Sequence, residues 1–393
     1  MLVIRNVRLH VGSGGGLIED ALFIADGERV LYAGPAAHVA APAGSTVIDA
    51  AGRFLIPGLI DCHVHLCFDG SPDFEGFARG LTPAVAADLC RSNALRALEA
   101  GITTVRDLGG VGTSVLDAAE AQRRGAIDGA RIVTAGEVLT VPGGHAYYIG
   151  HEVSSTDEIL GAIRSLHNAG ARIVKLMATG GVLTEGIGAQ QSAFSPEQLA
   201  AAVTEARARG MRVAAHAIGA EGIEAAARAG VDSIEHGCFL SDEAIANMIA
   251  TPTWLVPTLS APDRISHGGS GVPEYARAKS AEVLVVHRGS FARAVAAGVR
   301  IAAGTDAGTP YNFHGGLAAE LRLMHDAGLP LERALQSATR EAAQLLGLGE
   351  IGTLEAGNIA DCVLLEDDPV ENVAAYSKVA AVVQSGRLVL DRR

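Results

Sequence analysis

The strongest constraint on this chain is a change of hydrophobic period partway along it. Beyond residue 56, short apolar runs (ITTVRDLG, ARIVKLMAT, MRVAAHA, DSIEHG, RIAAGTDAG) alternate with 10–20-residue amphipathic segments such as SPEQLAAAVTEARARG and AEGIEAAARAG. Counting from GLIDCHVHL, strands are predicted near residues 58–65, 102–107, 131–136, 172–178, 211–216, 232–236, 254–259 and 300–306. Apolar strands separated by helices mean parallel βαβ units, and eight of them predict a closed (β/α)8 TIM-type barrel rather than an open doubly wound sheet. Helix signals agree with these boundaries. Ser195-Pro196-Glu197 and Ser241-Asp242-Glu243 are N-terminal caps, and Gly101, Gly170, Gly210, Gly230 and Gly298 fall where helices should stop.

The two ends have a different texture. LVIRNVRLH, ALFIADGERVLYAG and STVIDAAGRFLIPG, then GTLEAGNIADCVLLEDDP and VAAVVQSGRLVLDRR, read as short strands between turns. They predict a small β-sandwich domain made from residues 1–56 plus 350–393, around a barrel of residues 57–349. GSGGG at residues 12–16 lacks the Lys-Ser/Thr of a phosphate-binding loop and reads as a hairpin turn.

Composition narrows the setting. With 393 residues the chain exceeds what one compact core usually holds, and its 4% aromatic content suits helices packed closely on strands. A net charge of −13 without any basic run argues against nucleic acid or an anionic membrane as partner. Five cysteines without CxxC spacing, an N-terminus that reads as a strand, and no bilayer-length apolar run lead to a cytoplasmic expectation.

Active sites of such barrels lie at the C-terminal ends of the strands. His63 and His65 end the first predicted strand, Lys175 lies on the fourth, His216 ends the fifth, His236 the sixth and Asp306 the eighth. A single inward histidine is more often a satisfied core residue, and a mid-strand lysine a solvated one. Six such groups at one end of one barrel are instead the donor set of a divalent metal centre.

The segments GLIDCHVHL, VKLMATGGV, AAHAIGAEG, SIEHG and AGTDAG resemble the amidohydrolase superfamily. Within it the chain is most similar to the imidazolonepropionase-related branch, which includes bacterial prolidases, Xaa-Arg/Lys carboxypeptidase-like enzymes and ochratoxin-type amidases. The resemblance implies two divalent ions, zinc by preference. His63, His65 and Asp306 would hold one, His216 and His236 the other, with carboxylated Lys175 and a hydroxide bridging them. It also implies that this hydroxide attacks a carbonyl carbon, while Asp306 takes its proton and passes it to the leaving amine. Imidazolonepropionase itself uses one metal and lacks the bridging lysine, so Lys175 favours the two-metal relatives.

Several further residues are candidates. His145, in VPGGHAYYIG, is expected to bind a substrate carboxylate or steady an oxyanion, against an ordinary loop histidine. Tyr147 and Tyr148 are candidates for the pocket lining, His314 is equally a pocket residue or a helix cap, and Arg106–Asp107 is equally a structural or a substrate-binding pair. The glycines of ATGGVLTEG are expected to let substrate approach closely. Cys62 and Cys238 are expected to turn away from the metals as core residues. Ile218 stands where some prolidase-like relatives carry a tyrosine, which puts a direct transfer of their activity in doubt.

The expected function is hydrolysis of the C–N bond of a dipeptide, N-acyl amino acid or related carboxylate-bearing amide, by a chain that forms a homo-oligomer. One alternative is a hydrolase of a cyclic amide, a lactam or a xenobiotic carbamate or urea. Another, of a different class, is a binding or assembly protein on the same barrel without catalysis.

Overall fold

A strand-turn-strand ribbon opens and closes the chain, and the strand–helix alternation lies between. The computed structural model describes residues 1–393. Strands from both ends join one eight-stranded sheet. At its centre Leu2–His10 pairs parallel with Phe54–Pro57, which pairs antiparallel with Cys362–Leu365. Alternate residues of these strands, among them Val7, Leu9, Leu55 and Leu364, join Phe23 of the neighbouring strand Leu17–Asp26 in one core of 18 buried side chains. The terminal strands thus form a single hydrogen-bonded sheet with both ends of the chain contributing.

The middle of the chain forms parallel strands in the predicted order: β1 (Leu59–Val64), β2 (Ile102–Asp107), β3 (Arg131–Thr134), β4 (Ile173–Met177), β5 (Arg212–Ala217), β6 (Ser233–His236), β7 (Trp254–Val256) and β8 (Arg300–Ile301). The structure is an α/β fold consistent with a TIM-type barrel. Two differences from the expected strands matter for the site. After Gly136 the third strand resumes as Val138–Thr140, so β3 pairs with β2 while its continuation pairs with β4. The eighth is regular for two residues only, and its continuation closes onto β1 through Cys62 N–H to Ala303 O (2.8 Å), Asp306 N–H to His63 O (2.7 Å) and His65 N–H to Ala307 O (2.8 Å).

Strand parity divides the core in two. Val174, Val213, Ile234, Leu255 and Ile301 join the large cluster between strands and helices, whereas Ile60, Cys62, Ile173, Ala214, Trp254 and Val256 join a second cluster inside the strand ring. The helix caps follow the sequence. Ser195 and Gln198 form a reciprocal capping box, Ser241 caps Asp242–Ala250, and Gly230 and Gly298 end their helices at φ 81° and 82°. No helix is long and apolar enough to cross a membrane.

Candidate active site at the C-terminal end of the barrel

Regular alternation would not bring all six polar strand-end residues to one cavity. Cys62 already faces the barrel interior, so His63 should face the helices. A register shift in β1 between Asp61 and Val64 turns it back into the cavity. At β6, Ser233 and Glu235 face inward, and His236 also reaches the cavity because its backbone is left-handed at φ 72°. Asp306 is left-handed too, at φ 61°. Such backbone is costly for residues with a Cβ, and here the barrel seam and neighbouring hydrogen bonds hold it.

His63, His65, Lys175, His216, His236 and Asp306 all line one cavity of about 650 Å³, including its open mouth. His63, His236 and Asp306 offer three ligand atoms within 4.8 Å of one another, a group able to hold a metal ion. Asp306 Oδ1 lies 3.2 Å from His65 Nε2 and 3.3 Å from His63 Nε2.

The outer nitrogen of each imidazole tests how well these residues fit a metal. His65 Nδ1 donates to Gly109 O at 2.7 Å, and His216 Nε2 donates to Gly180 O at 2.8 Å. Thr258 gives its hydroxyl proton to Pro257 O, so its oxygen accepts from His236 Nδ1 at 2.6 Å. These bonds leave His65 Nε2, His216 Nδ1 and His236 Nε2 as lone pairs, the form a metal requires. His63 Nδ1 is 2.9 Å from Glu235 Oε2 but out of line for a hydrogen bond. Lys175 is buried and makes neither a hydrogen bond nor an ion pair. A buried, unpaired ammonium is costly, so the donor set fits a group that engages this lysine as well as the imidazoles.

Electrostatics point the same way. Burial, reinforced by neighbouring positive groups, holds His63, His216 and His236 well below the usual imidazole pKa. Burial also works against a proton on His65, yet the Asp306 and Asp107 carboxylates raise it. Burial brings the Lys175 amine down to about 8, with Arg106 adding to the effect and Glu235 and Asp306 opposing it. Carboxylation of a lysine needs the neutral amine, and burial makes that form far more accessible here than on an ordinary lysine.

The remaining candidates separate. His145 lines the cavity with its Nδ1 2.9 Å from Thr184 Oγ1 and its ring 4.4 Å from that of His216. Tyr148 also lines it, while the Tyr147 hydroxyl turns away to Glu75 and Arg79. His314 does not line the cavity. Its Nε2 donates to Phe68 O at 3.0 Å, which fastens the loop after His65 instead of meeting a substrate. Arg106 is structural. It lies beneath the site with Nη2 donating to both Glu235 carboxylate oxygens (2.8 and 2.9 Å), Nη1 to Ser233 Oγ and Nε to Cys62 O. Asp107 accepts from Leu66 N and Gly109 N.

Two expectations are corrected. Cys238 does line the cavity, because the left-handed backbone at His236 and Gly237 breaks the parity on which the opposite reading rested. The glycines after Lys175 make room for protein rather than for substrate: a Cβ on Gly181 would collide with the His145 ring, and one on Gly180 with Gly188 O.

Sequence reasoning missed Glu235, Asp61 and His287. Asp61 accepts from Thr305 N, Thr305 Oγ1 and His63 N across the β1–β8 seam. His287, on the helix Glu274–Ala297, donates from Nε2 to His236 O at 2.9 Å. A buried acid beside a ligand in SIEHG was a visible clue to Glu235. The pairing of His287 with a residue 51 positions away was not visible.

A closed strand ring with imidazoles, a carboxylate and a buried lysine at its C-terminal end defines a class of metal-dependent hydrolase. Residues 54–389 match the amidohydrolase family, and the chain belongs to it. Among curated proteins it is similar to ochratoxinase of Aspergillus niger, with 31% identity over 361 residues, 84% of this chain and 73% of the relative. It is also similar to imidazolonepropionase of Methylobacterium sp. (strain 4-46), with 31% identity and 98% of each chain covered. Among solved structures, a Xaa-Pro dipeptidase with methionine bound in its active site superposes with a TM-score of 0.91, at 32% identity and 98% and 99% coverage. The chain is a metal-dependent hydrolase of C–N bonds.

Proposed function

We propose that this chain is a binuclear amidohydrolase that cleaves the C–N bond of a dipeptide, N-acyl amino acid or related small amide. The barrel of residues 57–349 is the catalytic unit, and the composite unit of residues 1–56 and 350–393 supports it. One observation carries the reading: the four candidate imidazole ligands, a carboxylate and an unpaired buried lysine share one cavity, with the outer nitrogens of His65, His216 and His236 already held by the protein. His63, His65 and Asp306 would hold one ion, His216 and His236 the other, and carboxylated Lys175 would join them. When bound, divalent ions, zinc by preference, lower the pKa of a water molecule and polarise the scissile carbonyl.

The rest is work for the chain's own side chains. Asp306 Oδ1 stands among the His63 and His65 nitrogens, placed to take a proton and hand it to the leaving amine. His145, buried beside His216, is placed to donate a hydrogen bond to the developing oxyanion from the loop side. Tyr148 forms part of the wall, and His314 faces Phe68 O outside the cavity.

A second reading has an observation of its own. No arginine lines the cavity, and Lys175 is its one lysine, so a neutral carbamate, urea or cyclic amide suits the wall as well as a carboxylate-bearing amide does. We further propose a cytoplasmic homo-oligomer. The test is release of amine from a library of dipeptides, N-acyl amino acids, carbamates and ureas by the metal-replete protein. Cleavage that Asp306→Asn removes supports the reading, and inertness toward every member by a protein carrying its metals overturns it.

A further inference from the structure

Outside the large cores, Ile218, Cys238 and Val283 form a small apolar cluster of their own, with Val182 packed against it. Ile218 follows His216 at the end of β5, Cys238 follows His236 at the end of β6, and Val283 comes from the helix Glu274–Ala297. All three are buried, and all three line the cavity that holds the candidate metal ligands. An isolated apolar cluster facing a cavity gains little from the protein interior, and a ligand group can complete its packing.

Apart from Lys175, which the proposed metal centre would take up, the charged groups around this wall are already committed. Lys279, on the same helix as Val283, donates to Thr184 O at 2.7 Å and Ile187 O at 2.6 Å. Arg106 is taken up by Glu235, Ser233 and Cys62 O. His287 donates to His236 O. Asp306, on the opposite side with His63 and His65, is the one carboxylate lining the cavity. A charged substituent placed against Ile218, Cys238 and Val283 would therefore be desolvated without a partner.

We infer that Ile218, Cys238 and Val283 form a substrate subsite that accepts an uncharged aliphatic or aryl substituent on one side of the scissile amide and rejects a charged one. The inference rests on the reading of the cavity as a C–N hydrolase site. It leaves any carboxylate of the substrate to the other side of the bond, away from this wall. The wall is reached from β5, β6 and the helix, so its selectivity belongs to the His216–His236 side of the centre.

The test uses the full-length, metal-loaded protein and matched small amides carrying Leu, Phe, Glu or Lys side chains, first on the acyl side and then on the amine side. On one side only, Leu and Phe are expected to exceed Glu and Lys in kcat/KM by at least about tenfold. Val283→Lys should turn that ranking toward Glu, and Val283→Phe should lower the Phe compound relative to its Ala counterpart. Both variants are read only with metal content and melting temperature beside wild type, and Val283→Ala, which should favour larger aryl groups, replaces either that misfolds. Equal rates for charged and apolar members on both sides, or a ranking indifferent to all three variants, overturns the subsite. If no member is cleaved, the hydrolase reading fails separately. Calorimetric binding of the same compounds then decides the subsite, which is overturned if Leu and Phe compounds bind no tighter than their Glu and Lys counterparts.

Discussion

The two corners of the candidate metal centre are built by different means. Around His63, His65 and Asp306 the barrel seam does the holding: Asp306 N–H bonds His63 O, His65 N–H bonds Ala307 O, and Asp61 ties β1 to Thr305. Around His216 and His236 the support comes from outside the sheet: Gly180 O from a loop, Thr258 after β7, and His287 from a helix. The first corner is polar and rich in carboxylate. The second is backed by the apolar wall of Ile218, Cys238 and Val283. A rigid, acidic corner suits holding an ion and moving a proton, and a loop-supported apolar corner suits selecting what approaches. Lys175 stands between them.

The largest expected effect is at the first corner. Asp306→Asn removes the proton acceptor and should lower kcat by about 10²–10⁴ while the fold persists, checked by steady-state kinetics and circular dichroism. A pH–rate profile that loses its ionisation in His145→Ala and keeps it in Asp306→Asn would place the proton transfer on the other side and break the comparison.

Next comes the floor that both corners share. Arg106→Met leaves the Glu235 carboxylate buried and unpaired and should cost about 3–5 kcal/mol, read as a fall in denaturation midpoint. The double variant Arg106→Met with Glu235→Gln should recover part of that loss. No recovery would show that packing, rather than charge, dominates there.

His287→Phe removes the donor to His236 O and should weaken metal binding about 10–100-fold at the second corner only. Equal weakening at both corners would erase the distinction between them.

The smallest effect concerns acid. Burial lowers the His314 pKa from 6.5 to about 4, while its bond to Phe68 O opposes the shift. Between these values the unfolded chain binds a proton that the folded chain does not, so stability falls as pH drops from about 6.5 toward 4. At pH 5.5 this one residue should account for about 1 kcal/mol. His314→Gln should flatten the pH dependence of the melting temperature by that amount and leave metal content intact.

Much of this was legible in the sequence, for identifiable reasons. Strand period, helix caps and polar strand ends are local, so the order of the eight strands and the strand-end positions of Lys175 and His216 could be read directly, whereas His63 reaches the cavity only through the register shift in β1. What could not be read depends on departures from regular backbone or on contacts distant in sequence. Parity misplaced Cys238 because His236 and Gly237 are left-handed. The interruption at Gly136 hid the continuation of the third strand, and the pairing of the two chain ends in one hydrogen-bonded sheet depends on contacts distant in sequence. His287 lies in a helix whose amphipathic pattern alone does not distinguish a core histidine from one that braces a candidate ligand. His314 sits beside the mouth in sequence, yet its ring turns under the loop that follows His65.

The central claim is that the two corners hold separate ions joined through Lys175. Titration of the metal-stripped full-length protein with zinc, followed by calorimetry and elemental analysis, tests it most directly when wild type is set beside Lys175→Met. The account predicts near two equivalents for wild type and near one for Lys175→Met, retained by the His63–His65–Asp306 corner. One equivalent in wild type, or two in both proteins, would contradict it.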